Sequence, residues 1–442
     1  MPRRFPVALV LAVWIAVPSA VAAQEPLTLD AAVREALAHN PLLAGARAAV
    51  RAADAGVTEA RAGYFPRVSV SDTWQRGNGP VFAFSSLLSA RQFGAANFAV
   101  DALNHPDPIS YFHAMFGVEE LVFDGGRREA GIDAAHQQVT IAGAEADRAR
   151  ADVAVNTTEV YGQLLAAQAA GRAADAAVKA AEEDVARAER RRDAGTATDA
   201  DVLSVRVHLA DMRQRALAAD ADAAAVRAQL NRLMGAPIDR DYVVQEPATV
   251  EFGGADLSAL VAEADAARPE LRRAEAEARL AGAGVRQARA GWFPQVVAQA
   301  GYMLDGTSFA DRASAWIVGG GLQWSLSTGG AEAARQRSAS EAAVRARAAA
   351  DDARAAIHVD VISALRRLEA ARAREAVGRS AVDQARESQR IIRQRYDAGM
   401  AGVSDVLRAA TAVLDAEARR VAAVVDAVTS EAKLRRAVGR AP

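Results

Sequence analysis

The spacing of hydrophobic positions changes in the same order in each half of the chain. Val139, Ala142, Ala146, Ala149, Val153 and Val160 follow the 3,4 spacing of a coiled-coil seam. Ala343, Ala346, Ala350, Ala353, Ile357 and Ala364 follow it again, with polar Asn156 and Asp360 interrupting at equivalent places. No proline occurs from Ile109 to Ala236 or from Gln295 to Ala441. Because proline costs about 3 kcal/mol inside a helix, these tracts can hold very long helices. Ahead of each tract the period falls to two. Val296, Ala298, Ala300, Tyr302 and Leu304 alternate with Val297, Gln299, Gly301 and Met303. After a turn at Asp305-Gly306, Leu322, Trp324 and Leu326 alternate with Gln323, Ser325 and Ser327. In the first half Val68, Val70 and Trp74 share one face of a strand and Val118 and Val122 one face of the next, though Asp72 and Glu120 fall on that apolar face. Strands of about ten residues match what a tilted strand needs to cross a bilayer.

The recurrence extends to residue identity. Gly56 to Pro66 returns as Gly284 to Pro294 with eight of eleven positions identical, 228 residues on. Asp193-Ala194-Gly195 and Asp201-Val202-Leu203 return as Asp397-Ala398-Gly399 and Asp405-Val406-Leu407, now 204 residues on, as does Gly125-Gly126 at Gly329-Gly330. One structural unit is used twice, which predicts internal pseudo-symmetry. The drop in offset places 24 extra residues in copy one, between its strands, in a stretch from Gly77 to Tyr111 rich in Phe, Gly, Pro and Asn.

Punctuation completes each copy. Asn40-Pro41 and Arg268-Pro269 start a helix with proline in a tolerated first-turn position. That helix gives way to the strand at Tyr64-Phe65-Pro66 or Trp292-Phe293-Pro294, where aromatic residues suit a membrane interface. Gly195 and Gly399 fit helix-ending glycines, and Asp199 and Ser404 fit the N-caps of returning helices. Arg127 to Arg192 is 66 residues, or ~100 Å of helix at ~1.5 Å per residue.

The expected boundaries are a segment 1–23, a first repeat 24–235, a linker 236–256 and a second repeat 257–442. Strands are expected near 67–76, 112–123, 295–304 and 314–327, and helical hairpins near 127–234 and 331–437. The fold class is mainly α with membrane β. Residues 1–23 read as a secretory signal: Arg3 and Arg4, an apolar run from Val7 to Val17, then the small residues Ala20 to Ala23. An exported chain without cysteine forms no disulfide and carries no cysteine-linked lipid. No later stretch is apolar enough for a transmembrane helix, so a membrane span must be a closed β-barrel. Only two of the 53 basic residues are lysine, and without Arg3 and Arg4 the net charge moves from −2 to about −4, which leaves no basic footprint for nucleic acid.

Catalytic chemistry is absent from the pattern. The six histidines show no H-E-x-x-H spacing, thiolate metal sites are excluded, and there is no phosphate-binding Gly-Lys-Ser/Thr loop. Ser430 and Lys433 fit S-x-x-K without its partner motifs. Neither an enzyme, a cofactor nor a metal is expected. A bland alternative is an exported periplasmic coiled-coil structural or adaptor protein, but an adaptor usually carries one hairpin within lipoyl-like β-domains.

The doubled order of helix, Pro, strand, loop, strand, Gly-Gly and long hairpin resembles the TolC family of outer-membrane efflux and secretion channels. The residues carrying it are Gly63 to Pro66, Gly291 to Pro294, Phe123 to Gly126, Ser327 to Gly330, and the two Asp-Ala-Gly…Asp-Val-Leu signatures. The resemblance implies a homotrimer in the outer membrane of a Gram-negative bacterium, with four strands per chain in a twelve-stranded barrel continued by a periplasmic α-helical barrel. It implies a passive conduit for drugs, metals or peptides, delivered by an inner-membrane pump through a periplasmic adaptor. By position, Asp193, Gly195, Asp201, Leu203, Asp397, Gly399, Asp405 and Leu407 belong to the periplasmic tips, where the adaptor docks and the pore is gated. Pro66, Pro294, Gly125, Gly126, Gly329 and Gly330 mark helix-to-strand transitions. Some members carry a further acid three residues after the tip Asp; here those positions are Ser204 and Arg408.

Overall fold

The structure is a computed structural model and describes residues 26–247 and 256–440. The expected secretory segment 1–23, part of the expected linker 236–256 and the last two residues lie outside the described residues. In chain order the elements are α1 (Leu29–His39), α2 (Pro41–Ala62), β1 (Arg67–Gly77), α3 (Pro80–Ser89), a 3-10 turn (Ala95–Phe98), α4 (Val100–Asn104) and β2 (Ile109–Phe123). They continue as α5 (Arg127–Asp193), α6 (Asp199–Met234), α7 (Leu257–Ala267), α8 (Pro269–Ala290), β3 (Gln295–Gly306), β4 (Ala313–Gln323), α9 (Ala331–Asp397) and α10 (Val403–Val438). The bounds of α5 and α6 reappear in α9 and α10 at the 204 offset, and those of α1 and α2 in α7 and α8 at the 228 offset.

Several elements depart from the sequence expectation. The strand β3 runs through Asp305-Gly306, so the turn lies after it, and β4 stops at Gln323, leaving Trp324 and Leu326 outside the sheet. There the Trp324 indole N–H donates to the Trp292 carbonyl at 3.2 Å, a bond that takes the side chain out of the alternation. The 24-residue excess contains two helices rather than irregular loop. Pro80 stands in the first turn of α3, which fits proline's fixed φ and missing N–H. Asn156 and Asp360 are exposed and lie off the buried face. In α9 the buried positions Ala343, Ala350, Ile357, Ala364 and Ala371 recur every seven residues, with Val361 and Leu368 between them.

The chain divides into two compact units. The first holds the described residues of Met1–Ala36, Thr157–Val250 and Val377–Val428; the second holds Leu37–Asn156, Glu251–Ala376 and Thr429–Pro442. In the first, Leu27 bridges Val244, and the Tyr161 hydroxyl lies 2.7 Å from the Leu27 carbonyl while accepting from the Gln245 N–H at 3.0 Å. Burial pushes the Tyr161 phenol up to about 12. Gln168 donates to the Tyr242 carbonyl and accepts from the Val244 N–H, so two side chains of α5 satisfy a segment that has no sheet of its own.

The second unit contains the sheet and a helical core in which Leu260, Ala264, Leu271, Ile357, Val361, Leu368, Leu434 and Val438 pack together. Arg268, only 3% exposed, crosses this core as a staple. It donates to the Ala437 carbonyl at 3.0 Å, to Glu270 at 2.9 Å and to Asp360 at 3.3 Å. Burial opposes the charge on Glu270, but Arg268 and Arg436 outweigh it and hold the carboxyl below its ordinary range. A depressed folded pKa contributes stability that is present above the unfolded value and lost as pH falls through the folded value. We therefore expect Glu270→Gln to lower the melting temperature at pH 7, with the difference from the parent protein shrinking as the pH is taken below about 4. Circular dichroism melts across that range check it; an unchanged difference at every pH would count against the assignment.

Candidate functional site

All four strands form one antiparallel sheet in the order β1-β2-β3-β4. Register fixes which side chains share a face. Val68 pairs with Val118, Val70 with Phe116, and Trp74 with Phe112; Phe116 pairs with Tyr302, and Tyr302 with Trp316. Even-numbered positions thus form one apolar face, and it is uncovered: Trp316 is 75%, Val318 71%, Val68 69% and Leu322 67% exposed. The odd positions present Ser69, Ser71, Thr73, Gln75, Gly117, Gln299, Gly301 and Gly319, which are polar or small. Both outer strands, β1 and β4, have a partner on one side only.

The two acids on the apolar face are paired. Arg312 makes a two-pronged contact to Asp72 at 3.1 and 3.3 Å and lies over the rings of Phe309 and Phe112. Glu120 lies 3.7 Å from Arg128. The first pairing was not readable from strand alternation, because Arg312 lies 240 residues from Asp72; the second partner stands in the helix that follows the strand.

Where helix meets sheet, the transition residues are brought together. The helix α2 closes with Gly63, Tyr64 and Phe65 N–H groups bonded back to Ala60, Arg61 and Ala62, and α8 closes identically at Gly291, Trp292 and Phe293. Pro66 and Pro294 follow, each immediately before a strand. At the start of α5 the buried Asp124 accepts from the N–H groups of Gly126, Arg127 and Arg128 at 3.1, 3.1 and 2.8 Å. Gly125 and Gly126 have φ of +69° and +87°. A Cβ on Gly125 would stand 2.8 Å from Phe293 Cβ, so copy one's turn fits against copy two's aromatic pair. Arg128 then joins three elements, donating to Asp124, to the Gly63 carbonyl at 2.9 Å and to the Val122 carbonyl at 3.3 Å, with its guanidinium 4.4 Å over Tyr64. Arg128 was not singled out from sequence, and Asp124 entered only within the Phe123 to Gly126 motif, although an acid just before a Gly-Gly helix start is an N-cap signal. In copy two the equivalent of Arg128 is Glu332, which accepts from the Ser327 N–H at 3.1 Å. Gly330 keeps φ +72°, whereas Gly329 has no left-handed backbone.

The turns joining α5 to α6 and α9 to α10 belong to the first unit. At Gly195, φ is +71°, with Gly195 N–H bonded to Arg192 and Thr196 N–H to Arg191, both at 2.8 Å. Gly399 repeats this with φ +74° and bonds to Tyr396 and Arg395. Both are Schellman endings, in which a left-handed glycine lets two otherwise orphaned helix carbonyls be satisfied. The N-caps correct the expectation. Thr198, not Asp199, caps α6, its hydroxyl accepting from the Asp201 N–H at 3.2 Å while Asp201 accepts from the Thr198 N–H at 2.9 Å. The Thr198 N–H, together with the Thr198 hydroxyl 2.8 Å from the same carboxylate oxygen, holds the Asp201 carboxyl below its usual range. In copy two α10 begins at Val403, so Ser404 lies inside it; Gly402 occupies the cap and Asp405 accepts its N–H at 3.2 Å.

Of the expected tip residues, Asp397 is tied to the other hairpin; the remaining ties are made by neighbours outside that set. Val202 and Val205 pack with Ala188, Val185 and Val403. Arg187 pairs with Asp397 at 3.6 Å, Arg393 with Asp184 at 3.2 Å, and Arg191 lies 4.6 Å over the Tyr396 ring. Asp193 instead pairs with its neighbour Arg192 and is exposed, and Leu203 is 60% exposed. Leu407 is half-buried, and Asp405 pairs with Arg408 at 3.2 Å.

These features define a sheet-and-hairpin protein whose sheet is uncovered on its apolar face and unpaired at both edges. The model of the outer membrane efflux protein family matches residues 32–236 and 260–440, and the chain belongs to that family, which is one of efflux proteins and not of enzymes. No match was found among curated proteins. Among solved structures, the fold is similar to the outer membrane protein VceC of Vibrio cholerae, with 21% identity, 93% of this chain and 96% of that chain covered, and TM-score 0.74. It is also similar to the CmeC outer membrane channel of Campylobacter jejuni (16% identity, 93% and 85% covered, TM-score 0.79). A third is the open state of the MtrE outer membrane channel of Neisseria gonorrhoeae (19% identity, 93% and 89% covered, TM-score 0.74). Among the described residues no helix is long and apolar enough to cross a membrane.

Two substitutions test the turns. Gly399→Val forces a β-branched residue into left-handed backbone and should destabilise by ~1 kcal/mol or more. Asp124→Ala should destabilise by about 1–2 kcal/mol through loss of the cap, and Asp124→Asn should recover part of that. Denaturant unfolding measures both; equal midpoints for Asp124→Ala and the parent would remove the cap from the account.

Proposed function

We propose that this chain is the outer-membrane channel of a tripartite export system, a passive conduit for substrates delivered by an inner-membrane pump through a periplasmic adaptor. The observation that carries the reading is the sheet, with an uncovered apolar face and strands β1 and β4 unpaired on their outer sides. In hydrocarbon an unpaired strand edge leaves backbone groups unsatisfied, which costs several kcal/mol each. Four strands are too few to close, since even small barrels need about eight. Three chains supplying twelve strands solve this, with even positions against lipid and odd positions lining water. The family's membership among outer-membrane efflux proteins supports the same placement, with the helices in the periplasm. An energy source has to come from elsewhere, because the sequence contains no phosphate-binding Gly-Lys-Ser/Thr loop.

On this reading the turns around Gly195 and Gly399 are the periplasmic tips. Their cross-ties, Arg187 with Asp397 and Arg393 with Asp184, are the contacts whose release would loosen one hairpin from the other. Asp193, Asp201, Leu203, Asp405 and Leu407 supply the exposed and half-exposed surface there.

Assembly is tested by extracting the exported protein in detergent and weighing it by light scattering. A trimer is expected, and a stable monomer in detergent-free buffer would overturn the channel reading. The tip assignment is tested with Arg187→Asp and Asp405→Arg, read by substrate resistance in a deletion strain and by single-channel conductance. Both variants should assemble normally while conductance rises; wild-type efflux and conductance at normal outer-membrane levels would remove the tips from the mechanism.

A further inference from the structure

The 24 extra residues of copy one do not project away from the sheet. They fold back onto it, with the aromatic anchor at odd-numbered Tyr111 and the others on the β3–β4 turn and the backbone at the start of β4. Phe82 of α3 meets the Tyr111 ring edge-on at 6.2 Å, and Tyr111 stacks on His113 at 6.1 Å. Tyr111 donates its hydroxyl to Asp305 at 2.5 Å, and His113 Nδ1 lies 2.6 Å from the same carboxylate oxygen. Asp305, in the sheet, is only 5% exposed. The loop is tied again on its far side: the Arg91 guanidinium donates to the Ser314 carbonyl at 2.9 Å, Gln92 donates to Asp311 at 3.2 Å, and Thr307 donates to Gln92 at 2.6 Å.

The backbone gives a second, independent indication that this position is imposed. Arg91 has φ +55°, and among the described residues it is the only non-glycine with positive φ. It ends α3 in the manner of the long helices, with Arg91 N–H bonded to Leu88 and Gln92 N–H to Leu87, but without their glycine. A bulky residue held in left-handed backbone persists where surrounding contacts over-determine it, and here its own side chain supplies one of them. Inside the loop Phe84, Phe93 and Phe98 pack edge to face at 4.7 and 5.0 Å, which makes a small aromatic body rather than a floppy strand of chain.

We propose that residues 78–108 form a size-limiting cover over the outer mouth of the pore, a specificity element distinct from the turns at Gly195 and Gly399. The proposal rests on the channel reading, because it needs the odd-numbered face to line the lumen. In a trimer three such bodies converge on one opening and set the largest molecule that passes it. Copy two, whose strands are joined by the short segment Thr307–Arg312, has no counterpart, so the cover repeats three times around the mouth rather than six.

The absence of cysteine makes single-cysteine labelling clean. Ser71→Cys places a thiol on the odd face opposite Met115, one pair beyond Asp72↔Ala114 from the Thr73↔His113 pair. Asp101→Cys places one in the exposed part of the loop, where the side chain is 95% exposed. On intact cells Asp101→Cys should react with both a small impermeant thiosulfonate and a polymer-linked maleimide of several kilodaltons. Ser71→Cys should react with the small reagent only. Replacing residues 80–104 by a short Gly-Ser link should make Ser71→Cys react with the large reagent about tenfold faster or more, as access no longer waits on local opening. Phe82→Ala with Gln92→Ala, which leaves the loop in place but removes two anchors, should give an intermediate gain and serves if the shortened protein fails to assemble. No labelling of Asp101→Cys by either reagent would sink the channel orientation itself. Normal labelling there, together with equal large-reagent rates at Ser71→Cys in the parent and both variants, would overturn the cover while leaving the channel reading standing.

Discussion

Backbone pairing at the sheet edges is the constraint from which the rest of this protein follows. A strand in lipid has no water to satisfy its outward N–H and C=O groups, so an open sheet is not a finished object there. The sheet of this chain is open at β1 and at β4, and its apolar face is bare. Side chains cannot repair an edge; only another strand can. On the proposed channel reading, the chain therefore carries within its own architecture a demand for further copies of itself, and the helical parts must be compatible with that arrangement. The junctions answer to the same demand. Each strand pair has to enter and leave the sheet at a fixed place, and the buried Asp124 with Arg128, and Glu332 with the Ser327 N–H, hold those places.

At several structural joints charge is used to fasten backbone and not only to make ion pairs. Arg128 donates to two carbonyls, Arg268 to one inside the core, Arg91 to one across the loop. A guanidinium has five donors in a planar fork and keeps its charge when buried, which suits it to closing helix and strand ends that lack partners. That gives the near-absence of lysine a structural use, whatever set the composition. The many exposed Arg–Glu and Arg–Asp pairs along the helices are worth little individually.

Much of this architecture was legible in the sequence because it is written twice. A repeated offset locates helix ends and strand pairs more firmly than either copy alone, and Gly195 and Gly399 carry the left-handed geometry that an Asp-Ala-Gly ending suggests. What could not be read depended on partners distant in sequence or on a competing local signal. Asp72 broke the alternation of an apolar face, and its partner Arg312 stands 240 residues away. Thr198 outcompeted Asp199 as a cap because an acid, Asp201, stands three residues after it to complete the reciprocal pair, whereas Val202 stands three after Asp199. The helices between β1 and β2 were obscured by composition, since Phe, Gly, Pro and Asn read as loop while Pro80 was marking a helix start. Trp324 and Leu326 continued the alternation past the point where the Trp324 indole had found the Trp292 carbonyl.

The exchange of Arg128 for Glu332 at matching places has a further meaning. In an assembly built from a half-length ancestor, every junction would be made by one sequence, and a residue there would have to suit every setting equally. Fusing two copies lifts that restriction. Each half can then adopt its own chemistry, a cation reaching across three elements in one and an anion closing a single turn in the other. The two halves are no longer interchangeable at this junction, so a hybrid chain with two first halves or two second halves would put one of these fastenings into a setting built for the other.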